Sequence, residues 1–292
     1  MRTVPGGTPE RLTSFERAGV PTLARLADGR LLAAFQHFPR DDRAAFDRVA
    51  ASYSSDQGRS WSPPQAIRIH DIDPDLARPF DPTLVVLPDG RIRIYFTSNR
   101  RSGPRFGTPE IYSAISSDGL TYRFEPGVRF AIAGRRVIDS AVAIHEGQFH
   151  LIVPDNGMEE LGDIRGSDRH GPAEGSGYHA VSRDGLRFER QPDIRLPVRG
   201  RWLGNLVSDG GRLVFFGTGP GPWPVMSADG HGWQAATTNI AVPGADPGVV
   251  RLADGSWLFV VTSPPRPGSA SSRRQLQGSG QGPGGVGERG RW

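Results

Sequence analysis

The sequence predicts an all-β protein, a five-bladed β-propeller of four-stranded antiparallel blades, on three observations. The first is composition: 39 Gly and 26 Pro among 292 residues interrupt regular structure too often for long helices. The second is a hairpin-bearing segment that recurs five times. The third is a Ser-x-Asp turn that follows four of those five segments.

The recurring segments are VPTLARLADGRLLAAF from Val20, DPTLVVLPDGRIRIYF from Asp81, DSAVAIHEGQFHLIV from Asp139, WLGNLVSDGGRLVFF from Trp202 and DPGVVRLADGSWLFV from Asp246. In each, two apolar runs of strand length flank Asp-Gly, Glu-Gly or Gly-Gly. Such dipeptides supply the positive φ that tight hairpin turns demand, so every blade opens with a hairpin. The apolar runs are nearly continuous rather than alternating, as expected of strands covered on both faces. The second element is YSSDQGRSW from Tyr53, ISSDGLTYRF from Ile115, VSRDGLRF from Val181 and MSADGHGW from Met226. A strand ends in Ser, a short turn carries Asp and Gly, and an aromatic residue (Trp61, Tyr122, Phe188, Trp233) starts the next strand. Hairpin plus turn makes a four-stranded meander, and five such repeats predict a propeller over residues 1–263 with blades starting near 20, 81, 139, 202 and 246.

The fifth repeat lacks the second turn. Closure of the ring is expected from a strand at Arg11 to Phe15, with a further strand around Arg274 to Gln277. Residues 264–292, rich in Gly, Pro, Ser and Arg, are expected to be a disordered tail.

Charge and cysteine content narrow the function classes. All 35 basic residues are Arg, and the segment from Pro264 onward, with five Arg and one Glu, carries the whole net charge of +4. The remaining body is balanced, which leaves no basic stripe for nucleic acid. With no cysteine, disulfide scaffolds and thiolate metal sites are excluded. No apolar run reaches the ~20 residues of a membrane span, so a cytoplasmic protein without membrane partners is expected.

Antiparallel topology sorts the motifs. If inner strands begin on an upper face, the Gly hairpins and the Ser-x-Asp turns both fall on the lower one, where Ser and Asp side chains hold the turn. The upper face collects Asp81, Asp139 and Asp246 at the starts of inner strands. Carboxylates crowded at one axis cannot all ionise freely; one pushed to higher pKa is a candidate acid beside an ionised base. The long loop from Pro154 to Gly177 has a composition suited to a rim, and its Glu174 is a further candidate acid. His37, Arg78, Arg100, Asp155, His179, Trp202 and Asn205 are expected to bind substrate: Arg can fork onto an oxygen pair and an aromatic can stack on a sugar ring. The histidines show no close ligand spacing, so neither metal nor other cofactor is expected.

The stretch GVPTLARLADGRLLAAF followed by SSDQGRSWSPPQ resembles the opening of the sialidases, with their Ser-x-Asp-x-Gly-x-x-Trp motif, the Asp box. The pairs Asp81-Pro82 and Asp246-Pro247, with Asp139-Ser140 between them, are similar to the five-bladed arabinanase and fructosidase glycosidases. The resemblance covers residues 19–263. It implies acidic residues converging on a central channel and action on a glycoside or related polar small molecule. It departs from both patterns: Gly19 stands where the sialidases have Arg, Val20 where the arabinanases have an acidic base, and Asp139 where they have Glu. Two alternatives follow, a non-catalytic carbohydrate-binding propeller with a degenerate site, or one recruited to non-hydrolytic biosynthesis.

Overall fold

The computed structural model describes residues 1–3, 10–12, 15–102, 105–155, 175–196, 200–219, 223–236 and 244–263. These form five antiparallel sheets and no helix, arranged as a five-bladed propeller. Blade one comprises Ala18–Arg25, Leu31–His37, Arg48–Ser54 and Gln65–Ala66. Blade two comprises Phe80–Val86, Ile92–Ser102, Arg105–Ser116 and Thr121–Phe130, with Arg68–His70 added in parallel at its outer edge. Blade three runs Ala141–His145, Gln148–Pro154 and Ser176–Ser182, with Glu189–Arg190 and Ile194–Arg195 both pairing the third strand. Blade four is Arg201–Asp209, Arg212–Thr218, Trp223–Ser227 and Gln234–Ala235. Blade five has Ala245–Arg251 and Trp257–Thr262.

The hydrophobic core is divided among the blade interfaces. Leu32, Ile94 and Tyr112 pack between blades one and two; Tyr95, Leu151 and Tyr178 between two and three; Trp202, Phe215 and Ile152 between three and four. Phe216 and Phe259 fill the gap between four and five, and Leu31, Phe35 and Leu258 the gap between five and one. Five interfaces for five blades means the ring is closed, with the apolar faces of the described strands packed between blades.

Closure differs from the expectation. The outer edge of blade five is paired by Arg2–Thr3, antiparallel to Trp257 and Leu258, and Glu10 bridges Arg2 in turn. Phe15 instead packs its ring against Phe35 and Trp61 of blade one, at 4.5 and 5.2 Å between centroids. The physical reason is that Phe15 finds an apolar pocket between blades, whereas a strand edge needs only backbone groups. The segment proposed around Arg274 to Gln277, and the whole 264–292 tail, lie outside the described residues.

The Ser-x-Asp turns share one hydrogen-bond scheme. Ser54, Ser116, Ser182 and Ser227 accept from the N–H of Gly58, Gly119, Gly185 and Gly230, at 2.8–2.9 Å, and donate to the turn Asp. Each turn also docks on the preceding blade. A Cβ at Gly58 would strike Leu258; at Gly119, Leu32 and Tyr53; at Gly185, Tyr95 of blade two together with Phe149 of its own blade; at Gly230, His150 and His179.

Candidate active site

Inner strands reach the channel through an irregular start. Register shifts lie between Gly19 and Thr22, Phe80 and Thr83, and Ala245 and Gly248, so that one extra residue bulges from each strand. The bulging residue is left-handed: φ is 47° at Val20, 49° at Asp81 and 48° at Asp246, and Asp139 before the blade-three strand has 60°. Asp tolerates this region better than most residues because its short polar side chain makes local hydrogen bonds. The backbone N–H of three of these four residues is seated on a threonine of the previous blade: Asp139 on Thr97 (3.3 Å), Asp246 on Thr218 (2.9 Å) and Val20 on Thr262 (3.1 Å).

Asp81, Asp139 and Asp246 thereby line one channel mouth with Val20 and Leu203, around a space of about 20 Å³. That holds roughly one water. Burial raises the pKa of all three. Asp81 stands well above the usual carboxylate range through desolvation, the Asp139 charge and a hydrogen bond to Asp139. Asp139 is pushed up to about 7 by desolvation and the Asp246 charge, against the opposing pull of Asp81, Arg201 and Arg136. Asp246 rises by desolvation, moderated by the Thr262 hydroxyl and Arg201. Two hydrogen-bonded carboxyls share one proton, and the pair titrates as a unit.

Beside the mouth opens a cleft of about 450 Å³ lined by Val20, Gln36, Phe38, Asp47, Arg78 and Phe80, with Asp81 at its inner end. Its volume suits a small ligand. Arg78 closes one side, paired to Asp47 at 3.1 Å and bonded to the Phe46 carbonyl at 3.3 Å.

Several solved structures are similar to this chain in fold. A GH43 β-xylosidase/α-arabinofuranosidase from a compost microbial metagenome aligns at 15% identity over 88% of each chain, with a TM-score of 0.62. A family 117 glycoside hydrolase from the marine bacterium Zobellia galactanivorans aligns at 14% identity, covering 84% of this chain and 78% of that one, with a TM-score of 0.56. A GH32 β-fructofuranosidase of Bombyx mori aligns at 13% over 85% of this chain and 56% of that one, with a TM-score of 0.57. The fold resembles that of glycoside-hydrolase propellers. At these identities the likeness speaks for fold. No protein-family model and no curated protein sequence matches the chain.

The other residues singled out in the sequence are placed variously. His37 sits at the upper end of blade one, edge-on to Phe35, its pKa lowered by burial and by Arg17. Arg100 is tied to Asp73 at 2.8 Å, and Asp155 to Arg135 at 3.2 Å, both on the rim. Three lie away from the channel mouth. Trp202 is fully buried, packed on Phe215 and Trp233, with its indole N–H donated to the Gly175 carbonyl; a Cβ at Gly177 would collide with it. The indole expected at a rim is therefore a core side chain, because its large apolar surface is better covered between blades. Asn205 is also buried and accepts from the Val249 N–H at 2.9 Å, stapling inner strands together. His179 is fully buried mid-strand, stacked on His150, with its Nε2 3.1 Å from His150 Nδ1. Glu174 lies outside the described residues.

Sequence reasoning missed Arg201, the cation that acts on both Asp139 and Asp246. It also missed the seating threonines and the cleft residues Gln36, Phe38 and Asp47. Thr97, Thr218 and Thr262 carry a signal, since each follows the apolar run of a second strand. Gln36 and Asp47 carry none until the strands are paired. Among the described residues, no group of three or more His, Cys, Asp or Glu side chains is placed to hold a metal, and no helix is long and apolar enough to cross a membrane.

Proposed function

We propose that the protein acts on a glycoside bound in the Phe38–Phe80 cleft, with the Asp81–Asp139 pair as proton donor to the leaving oxygen. Asp246, facing Arg201, is the charged partner that stabilises developing positive charge or activates water. The observation that carries this reading is the convergence of three carboxyls from three blades on the inner end of a cleft of sugar size, two of them sharing a proton near neutrality. The fold likeness to glycoside-hydrolase propellers supports it. One observation favours a second reading. Asp81 and Asp139 lie close enough to act on each other's titration, whereas the two carboxyls of most glycosidases stand ~5 Å or more apart. A carbohydrate-binding propeller without turnover is consistent with that.

Aryl glycosides of pentoses and hexoses, assayed with the native chain and with Asp81→Asn and Asp139→Asn, separate the two. Each substitution is expected to lower kcat by about 10²-fold or more. Binding of sugar by calorimetry with no turnover leaves the binding reading alone, and fully active variants refute the catalytic assignment.

A further inference from the structure

Gln36 departs from the scheme that Thr97, Thr218 and Thr262 follow in blades two, four and five. Thr97 pairs across the hairpin with Phe80, the residue before Asp81, and Thr262 pairs with Ala245, the residue before Asp246. Gln36 pairs with Gly19, the residue before Val20, and so holds the same register position in blade one. The threonines spend their hydroxyls on the N–H of the next blade. Gln36 instead turns its side chain into the cleft wall, where its Nε2 donates to Asp47 Oδ1 at 2.8 Å. Asp47 is held by Arg78 through its other oxygen, at 3.1 Å, and by a left-handed backbone at φ 57°.

That chain of contacts fixes which way the amide points. A carboxylate paired to Arg only accepts, so the nitrogen of Gln36 must face Asp47 and the carbonyl oxygen must face away. Gln36 is 6% exposed, and its Oε1 is buried with no hydrogen-bond partner in the protein. A buried acceptor left without a donor is costly; because Gln36 lines the cleft, a small rotation of its amide on binding would bring Oε1 to a ligand donor and recover that cost. Local rules are broken with least penalty where function compensates.

We propose that Gln36 Oε1 is a specificity acceptor: it selects ligands that present a hydroxyl donor to the blade-one wall while an apolar ring face lies along Phe38 and Phe80. The inference rests on the carbohydrate reading of the cleft and sharpens it to a neutral pyranoside or furanoside with a free hydroxyl at the position facing Gln36. Arg78 orients Gln36 through Asp47 and is a positioning residue.

The test crosses protein and ligand changes. Affinities of methyl glycosides and their monodeoxy analogues are measured for the native chain and for Gln36→Met, which keeps length and removes both polar atoms. One ring position is expected to show about a tenfold or larger loss on deoxygenation in the native chain. Gln36→Met should erase that preference while binding the deoxy compound as well as the native chain does. Arg78→Met should weaken the preference without abolishing it. A Gln36→Met protein that folds and keeps the full hydroxyl preference overturns the proposal. A second probe separates it from the carbohydrate reading. If no glycoside binds but glycerol shifts the Gln36 side-chain amide resonances, the carbohydrate reading falls and the donor-seeking acceptor stands. If neither glycosides nor glycerol has any effect, the proposal is overturned.

Discussion

At the channel mouth one side chain is out of keeping with its backbone. Val20 has φ 47°, in the region where Asp81, Asp139 and Asp246 also sit. A β-branched residue there is a steric outlier, because its Cβ substituents crowd the following carbonyl; an Asp or Asn is tolerated. The Val20 N–H is nonetheless bonded to Thr262 and its side chain lines the channel, so the position is held from both sides. Val20→Asn is therefore expected to stabilise the fold by about 1 kcal/mol, the order of the left-handed penalty. Equilibrium urea unfolding measures this, and a lower midpoint for Val20→Asn refutes the strain. The sequence shows that Val20 shares the phase of the three aspartates. It does not show that the phase is a left-handed bulge, because Pro at the next position in blades one, two and five fits an ordinary extended start equally well.

At the scale of the element, the Ser-x-Asp turn is both a turn and a peg. Its hydrogen bonds are local, so it was legible as a repeat from Ser, Asp and Gly spacing alone. Its docking is not legible, because the residues that receive it belong to the preceding blade and share no motif. The blade-three turn shows the arrangement best: Arg93 and Tyr95 of blade two donate to the carbonyls of Asp184 and Gly185, at 2.8 and 2.9 Å. A Cβ at Gly185 would come 2.6 Å from the Tyr95 hydroxyl and 2.7 Å from the Phe149 ring, at φ 70°. Gly185→Ala combines a disfavoured backbone with a clash against buried side chains, and is expected to cost about 2–4 kcal/mol. Thermal and urea unfolding should both register it. At Gly29, with φ 85° but nothing within 4 Å, only the backbone penalty applies, so Gly29→Ala should cost about 1 kcal/mol. Equal losses at the two sites would rule out docking as the larger contribution.

For the whole molecule, five repeats of one hairpin pattern made the ring legible, while the identity of its closing strand was not, since Arg2–Thr3 contributes backbone hydrogen bonds and little pattern. The same division holds for the site: three aspartates at one phase were legible, whereas Arg201 and the cleft depend on which blades become neighbours. Neighbouring blades also create two opposed titrations. Between blades three and four, His150 and His179 are stacked and buried, with pKa values lowered by desolvation and by each other or nearby histidines to about 4 and about 3. The unfolded chain takes up protons at these histidines below about pH 6.5 while the native state does not, so their effect is a loss of stability as pH falls from 6.5 toward 4. At the channel the sign is opposite. Asp81 and Asp139 hold protons in the native state above the unfolded value of 3.8, so stability falls as pH rises from 3.8 through about 7. The turn carboxyls of Asp56, Asp184 and Asp229, held at about 2 by hydrogen bonds, titrate below this window. The native chain should therefore show a shallow stability profile between pH 4 and 6.5, with two opposed slopes offsetting each other. Asp81→Asn combined with Asp139→Asn should expose the histidine limb, with melting temperature climbing steeply from pH 4 to 6.5, and should raise it above the native value at pH 8. His150→Gln combined with His179→Gln should leave the carboxyl limb, falling from pH 4 to 7. Melting curves across pH 4–8 decide it, and a profile for the aspartate variant parallel to that of the native chain refutes proton retention at the channel mouth.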